Sequence, residues 1–240
     1  ALVTGQLRLC YQPRIDAATR RVCGAEALLR WTSPDLGEVS PRRFVAVAEQ
    51  SELISEIGAW VLDQACRDAS PWIRDTPGFV LAVNLSARQL RAPDFADAVQ
   101  RCLARHDVAA QRLELEITES ALLAVCQQAR NTLGALAALG VSLSLDDFGS
   151  GCSSLGRWRD FPIARVKIDG AFVRQLPRDA ADDAVVRAIV AMAGPLGFKV
   201  VAEGVETEDQ FGHLAAAGCN GIEGWLFGRE LSADAFAARH

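Results

Sequence analysis

Residues 112–119 read Arg-Leu-Glu-Leu-Glu-Ile-Thr-Glu, and residues 141–148 read Val-Ser-Leu-Ser-Leu-Asp-Asp-Phe. In both runs apolar and polar side chains alternate with a period of two, which is typical of a β-strand whose two faces meet different surroundings. A sheet that is covered by helices needs an apolar outer face. We therefore expect the polar faces of these strands to converge on the interior of a closed sheet.

The rest of the chain alternates between short strand-like runs and longer helical segments. The predicted strands are Leu7–Gln12, Val22–Trp31, Phe79–Ala87, Arg112–Glu119, Val141–Phe148, Arg165–Asp169, Lys199–Glu206 and Gly221–Phe227. The predicted helices are Pro41–Glu52, Ile54–Ile73, Asp94–Arg105, Val125–Leu139, Ala181–Leu196, Glu208–Ala217 and Ala233–Arg239. Eight strands with intervening helices predict one (β/α)₈ barrel domain over residues 1–240. A doubly wound open sheet is the alternative, but its usual Gly-rich phosphate loop is missing from the sequence.

Composition excludes several classes of protein. The 240 residues are 50% hydrophobic and 23% charged, which is incompatible with wholesale disorder. A net charge of −5 argues against binding of a long nucleic acid. Seven scattered cysteines predict reduced thiols rather than a disulfide framework.

The sequence has neither a signal peptide nor a membrane-spanning run, so we expect a cytoplasmic domain without direct membrane contact. Because the chain does not start with Met, we expect it to be part of a longer protein.

Acidic residues accumulate near the C-terminal ends of the predicted strands, where (β/α)₈ barrels place their active sites. The acids are Glu26, Glu116, Asp146, Asp147, Glu203 and Glu223, and Asn84 and Lys167 lie at similar positions on their strands. The potential ligands are all oxygen atoms, which suit Mg²⁺ or Mn²⁺ better than Zn²⁺. A purely structural alternative is a set of buried salt bridges among Arg30, Lys167 and the acids. The three histidines, His106, His213 and His240, are predicted to be surface residues.

Neighbouring residues in a regular strand point to opposite faces, so Asp146 and Asp147 can share a site only where the chain bends. We expect residues 148–151, Phe-Gly-Ser-Gly, to supply that bend. One aspartate could then bridge two cations while the other binds only the second. Such a pair of cations activates water against a phosphodiester, and Lys167 could orient that water.

Seven motifs make the chain resemble the EAL domain family of cyclic di-GMP phosphodiesterases. They are AEALLRW (residues 25–31, with Glu26-Ala27-Leu28), VNLSAR (83–88), LELEITES (113–120), LDDFGSGCSSL (145–155), VKID (166–169), VVAEGVET (200–207) and GWLF (224–227). They follow the family order over nearly the whole chain. The resemblance implies a barrel with its first strand antiparallel and hydrolysis of cyclic di-GMP to linear pGpG.

The resemblance also implies roles for individual residues. Two Mg²⁺ or Mn²⁺ ions would be held by Glu26, Asn84, Glu116, Asp146, Asp147 and Glu203, and Ca²⁺ would inhibit. The catalytic group would comprise Lys167, Glu203, Asp146 and Glu119, with Glu119 anchoring the loop at residues 148–154, which links metal occupancy to dimerisation. Substrate would be bound by Gln12, Leu28, Arg30 and Glu223. A homodimer and attached sensory or GGDEF-like domains are implied as well.

Four departures from the family pattern stand out. Glu223 replaces a usual Gln, Cys152 replaces a usual Tyr, Ser150 replaces a usual Thr, and Gly170-Ala171 replaces a usual Arg-Ser. The metal-ligand positions are all kept, which favours catalysis. A receptor that binds cyclic di-GMP without turnover is the alternative function. An unrelated aldolase- or enolase-like barrel ranks third, because Lys167 among acids is unsuited to forming a Schiff base.

Overall fold

The computed structural model describes residues 2, 4–123, 125–149 and 161–239, and within these residues it contains nine strands. The strands are β1 Leu7–Asp16, β2 Val22–Ser33, β3 Gly37–Val39, β4 Val80–Asn84, β5 Leu113–Thr118, β6 Ser142–Phe148, β7 Arg165–Ile168, β8 Lys199–Ala202 and β9 Gly221–Glu223. Eight of them form a closed ring in the order β1-β9-β8-β7-β6-β5-β4-β2, and β3 extends β2 as a hairpin outside the ring.

Strand β1 closes the barrel and is antiparallel to both of its neighbours, β2 and β9. The other neighbouring pairs in the ring are parallel. The predicted barrel and its antiparallel first strand are therefore confirmed. Since β1 runs opposite to the others, its last residues lie beside β9 at Arg14↔Glu223 and Asp16↔Gly221.

Helices surround the ring and bury the apolar faces of the strands. They are α1 Pro41–Glu49, α2 Leu53–Asp75, α3 Phe95–Arg105, α4 Glu119–Leu123, α5 Gln127–Leu139, α6 Gly170–Val173, α7 Ala180–Leu196, α8 Glu208–Ala217 and α9 Ala233–Arg239. As the alternation in β5 predicts, Leu113, Leu115 and Ile117 are at most 1% exposed. Helices α5 and α7 end in left-handed glycines, Gly140 (φ 94°) and Gly197 (φ 76°), as expected of helix C-termini.

Several boundaries differ from the sequence-based ones. Strand β1 continues past Gln12 to Asp16, and Glu119 begins a helix instead of ending a strand. Strand β8 ends at Ala202, so Glu203 and Glu206 lie in the loop that follows it. No helix in the described part of the chain is long and apolar enough to cross a membrane. The described cysteines carry free thiols, in agreement with the prediction, while Cys152 lies outside the described residues.

Candidate active site in the barrel interior

Lys167 of β7 is the centre of a cluster of carboxylates inside the barrel. Its side chain is fully buried. The distances from Lys167 Nζ are 2.6 Å to Glu203 Oε1, 2.8 Å to Glu116 Oε2, 2.9 Å to Glu26 Oε2, 3.4 Å to Glu223 Oε2 and 3.7 Å to Asp146 Oδ1. Burial by itself would lower the pKa of Lys167, but the carboxylates outweigh this and raise it well above its usual value. Lys167 is therefore a permanent cation, and it lacks the neutral amine that Schiff-base chemistry requires.

A second buried cation, Arg14 of β1, holds the next layer of acids. Its Nε lies 2.5 Å from Glu223 Oε1, Nη1 lies 2.8 Å from Glu114 Oε1, and Nη2 lies 2.9 Å from Glu116 Oε1. Glu116 therefore joins both cations, with one oxygen on Arg14 and the other on Lys167. Such a network fixes the rotamers of these three glutamates, because their carboxylate oxygens already contact a buried cation.

Arg165 of β7 completes this network by pairing with the second oxygen of Glu114. Burial lowers the pKa of Arg165 to about 10, and neighbouring Arg14 adds to the effect. The structural alternative of buried salt bridges is thus partly correct, but its cations are Arg14 and Arg165 rather than Arg30. Arg30 instead pairs with Glu230 at the rim of the barrel.

Asp146 and Asp147 reach the same region through an irregularity within β6. The register between β6 and β7 shifts between Leu145 and Phe148, and Asp147 has a left-handed backbone with φ of 53°. Aspartate tolerates this conformation better than most residues. The bend therefore begins at Asp147, and Gly149 within the expected Phe-Gly-Ser-Gly segment is left-handed as well (φ 95°), while residues 150 and 151 lie outside the described residues. Potential ligand oxygens of Asp146, Asp147 and Glu203 all lie within 4.8 Å of one another.

A second group of carboxylates has the same spacing. Oxygens of Glu26, Glu203 and Glu223 also lie within 4.8 Å of one another. Beside them, Asn84 Nδ2 donates a hydrogen bond to Glu26 Oε1 at 2.7 Å. The structure thus brings the predicted metal-ligand residues together, and it adds Glu223 to them.

The cluster holds more negative than positive charge. Its seven carboxylates are Glu26, Glu114, Glu116, Asp146, Asp147, Glu203 and Glu223, and its three cations are Arg14, Arg165 and Lys167. Full ionisation would leave an excess of four negative charges, which is the charge of two divalent cations. All of the potential ligands are oxygen atoms, as Mg²⁺ and Mn²⁺ prefer. The residues present therefore fit a site for two such ions.

The pKa shifts show the same excess of negative charge. Burial, reinforced by the neighbouring acids, raises the pKa of Glu26, and it raises those of Glu116 and Glu203 well above their usual range. Burial also raises the pKa of Asp147, with Asp146 adding to the shift. Asp146 Oδ1 is buried and accepts no hydrogen bond from the described residues. An oxygen in that position is suited to a cation ligand.

Glu223 is the exception among these acids. Burial would raise its pKa, but Arg14 and then Lys167 outweigh burial and lower the pKa to about 2. The carboxylate that replaces the usual Gln is therefore ionised, and Arg14 holds it in place. Sequence reasoning missed Arg14 because strand β1 was expected to end at Gln12. The available signal was that Gln12 and Arg14 are two residues apart and so share a strand face.

The residues expected to bind substrate lie on β1 and β2. Gln12 is buried, and its Nε2 donates to the carbonyl oxygens of Gly228 (2.8 Å) and Gly224 (3.4 Å). Leu28 and Arg30 are half-buried further along β2. Glu119 is buried at the start of α4, but most of the loop it was expected to anchor, including Ser150 and Cys152, lies outside the described residues.

The histidine prediction was wrong for two of the three residues. His106 and His213 are half-buried, and each lies within hydrogen-bond distance of an aspartate: His106 Nε2 is 2.9 Å from Asp63 Oδ1, and His213 Nε2 is 2.6 Å from Asp183 Oδ1. His240 lies outside the described residues.

A closed barrel with one antiparallel strand and a carboxylate cluster around a buried lysine defines a class of barrel domains whose interior acids could hold metal ions. Within that class, the sequence model of the EAL domain matches residues 1–230, and the chain belongs to the EAL domain family. This confirms the resemblance drawn from the motifs.

Relatives of known name share this domain. The bifunctional diguanylate cyclase/cyclic di-GMP phosphodiesterase MucR of Pseudomonas aeruginosa is 42% identical over 239 residues, which is 99% of this chain and 35% of MucR. The cyclic di-GMP phosphodiesterase NbdA of the same organism is 41% identical over 96% of this chain and 30% of NbdA. The chain therefore spans about a third of the length of these curated relatives.

Solved structures agree with the fold. The PaMucR phosphodiesterase in its c-di-GMP complex superimposes with a TM-score of 0.91 at 42% identity, covering 98% of this chain and 95% of that one. The EAL domain of Mycobacterium smegmatis DcpA has a TM-score of 0.82 at 34% identity, covering 97% of this chain and 96% of that one.

Proposed function

We propose that this domain hydrolyses cyclic di-GMP to linear pGpG with the help of two Mg²⁺ or Mn²⁺ ions. The observation that carries the proposal is the barrel cluster itself, in which seven carboxylates exceed three cations by the charge of two divalent ions. The names of MucR and NbdA support the same substrate and reaction.

The two ions would share one ligand, Asp146. Glu26, Asn84, Glu116 and Asp146 would hold the first ion, and Asp146, Asp147 and Glu203 would hold the second. The buried Asp146 Oδ1, which accepts no hydrogen bond from the described residues, is suited to the shared position. When bound, the two ions would lower the pKa of a water molecule and stabilise charge on the phosphodiester oxygens.

The chain's own residues would then orient the reactants. Lys167 carries a permanent charge and would hold the attacking water by donating a hydrogen bond to it, while stabilising charge that develops on phosphate. To do so, Lys167 Nζ must give up one of its present carboxylate contacts, and binding of the ions to those carboxylates would release it. Arg30 at the rim would contact a substrate phosphate, and Gln12 and Leu28 would lie alongside the ligand.

Glu223 would border the attacking water, because its Oε2 lies 3.4 Å from Lys167 Nζ. Its carboxylate is ionised and held by Arg14, so it accepts hydrogen bonds where a glutamine could also donate one. We propose that Glu223 changes how tightly the water is positioned rather than abolishing hydrolysis.

Incubation with cyclic di-GMP and Mn²⁺, followed by chromatography of the nucleotides, tests the proposal. We expect pGpG with the native chain, and none with EDTA or with Asp146→Asn. Asp209→Asn is the matched control, because it makes the same change on the exposed first turn of α8 and should leave turnover intact. Ca²⁺ in place of Mn²⁺ should inhibit, because it favours more ligands and looser geometry.

The receptor alternative predicts a different result in the same assay. Cyclic di-GMP would elute with the protein unchanged, with or without Mn²⁺, and no pGpG would form. That outcome would overturn the hydrolase proposal.

We further propose that the domain works as a homodimer in the cytoplasm, within a longer protein that carries sensory or GGDEF-like domains. The share of MucR and NbdA that the chain covers, about a third, supports the longer protein. Light scattering of the isolated domain with and without Mn²⁺ would test the dimer.

A further inference from the structure

Four metal-binding side chains face one another outside the barrel, between α2 and α3. Asp63 and Cys66 are three residues apart on α2, while Cys102 and His106 are four residues apart at the end of α3. Residues three and four apart share a helix face, so each helix presents two potential ligands to the other. None of the four takes part in the proposed hydrolysis.

The distances are close to those of a metal site. A carboxylate oxygen of Asp63, Cys102 Sγ and a ring nitrogen of His106 all lie within 4.8 Å of one another, and His106 Nε2 is 2.9 Å from Asp63 Oδ1. The thiols of Cys66 and Cys102 are close enough to shift each other's pKa, upward for Cys66 and downward for Cys102. In a tetrahedral zinc site, bonds of about 2.0–2.3 Å place ligand atoms roughly 3.3–3.8 Å apart. The ligand atoms of Asp63, Cys102 and His106 are therefore near tetrahedral spacing.

We propose that Asp63, Cys66, Cys102 and His106 form a zinc site that joins α2 to α3. Two thiols and an imidazole select Zn²⁺ over the Mg²⁺ or Mn²⁺ that suits the all-oxygen barrel cluster. Cys66 and Cys102 are buried, whereas Asp63 is partly exposed, and a cavity of about 350 Å³ lined by Asp63 and Cys102 gives access from solvent.

Asp63 already has cationic partners, and they would compete with a metal ion. Arg105 Nη1 lies 2.6 Å from Asp63 Oδ1, and Arg67 Nη2 lies 2.8 Å from Asp63 Oδ2. Both arginine side chains are more than half exposed, so either can turn into solvent at little cost. If Asp63 served only as an ion-pair partner, removing Arg105 would not create any affinity for metal.

Co²⁺ is the probe, because a thiolate bound to it produces a charge-transfer absorption that oxygen ligands in the barrel cannot produce. Under reducing conditions, we expect this absorption to saturate as Co²⁺ is added and to disappear when Zn²⁺ is added. Cys102→Ser should weaken Co²⁺ binding by at least about tenfold. The control is Cys219→Ser, which removes a buried thiol outside this cluster and should leave the absorption unchanged.

Arg105→Ala provides the second test. Loss of the competing cation should tighten Co²⁺ binding by about two- to fivefold, the usual strength of one exposed ion pair. Circular dichroism would verify that each variant is folded. The proposal is overturned if the native chain shows no thiolate absorption, if Cys102→Ser retains it, or if Arg105→Ala binds Co²⁺ no more tightly than the native chain.

Discussion

Replacing Glu223 by glutamine in the metal-free protein is expected to destabilise the fold by about 3 kcal/mol. Glu223 has a pKa of about 2 in the folded chain, compared with an ordinary value of 4.5. Each unit of difference corresponds to about 1.4 kcal/mol in favour of the charged form. Glutamine keeps the shape of the side chain but loses this charge, and it therefore loses the attraction to Arg14 Nε at 2.5 Å.

The variant should still fold, because Arg14 keeps two other buried partners, Glu114 and Glu116. Urea unfolding in EDTA, followed by circular dichroism, gives the free energy of unfolding directly. Thermal unfolding should show a drop of roughly 6–12 °C for a domain of this size. In Mn²⁺ we expect hydrolysis to persist, since glutamine keeps the shape of the side chain and the resemblance to the EAL family implies a glutamine at this position.

Glu230→Gln is the matched control for that experiment. Glu230 pairs with Arg30, but its side chain is 36% exposed at the rim, so its loss should cost less than about 1 kcal/mol. If Glu223→Gln costs no more than this control, the ionic contact with Arg14 does not hold Glu223 in its charged form. The reasoning about the buried network would then be wrong.

Three further predictions concern the same barrel. The raised pKa values of Glu116 and Glu203 mean that the metal-free fold retains protons which the unfolded chain releases near pH 4.5. Thermal midpoints in EDTA should therefore fall as the pH rises above 4.5, and a midpoint that does not fall would contradict this. Lys167→Met should lower the free energy of unfolding in urea by about 3–5 kcal/mol without metal, and Mn²⁺ should restore part of it. An equal loss with and without Mn²⁺ would argue against cations replacing the charge of the lysine. Tyr11→Phe removes the hydrogen bond that the buried Tyr11 hydroxyl donates to Asp68 Oδ2 (2.7 Å), so the free energy of unfolding should fall by about 1 kcal/mol while turnover is unchanged. Altered turnover would instead place Tyr11 in the site.

The strand and helix pattern was readable from the sequence because side-chain periodicity is a local property. Alternation in β5 and β7 places Glu116 and Lys167 on the polar face, and the structure buries both inside the barrel. The antiparallel first strand came from the family motifs, since periodicity carries no information on strand direction.

Other features depend on contacts between distant parts of the chain. Arg14 pairs with Glu223, 209 residues away, only because β1 lies antiparallel to β9 in one particular register. The left-handed backbone of Asp147 depends on how β6 pairs with β7, which no local pattern encodes. The half-buried state of His106 depends in the same way on the packing of α3 against α2.

The sequence by itself determined the barrel class, six of the seven acidic residues of the site and the oxygen chemistry of their potential ligands, since residue type and local period specify these, whereas Glu114 was missed. Only the tertiary structure decided which cation holds which acid, because each pairing requires strands far apart in sequence to meet in register. It also decided that seven acids but only three cations gather at the barrel interior, where full ionisation would leave an excess of four negative charges. That balance depends on which side chains share the interior, which is a property of the closed barrel.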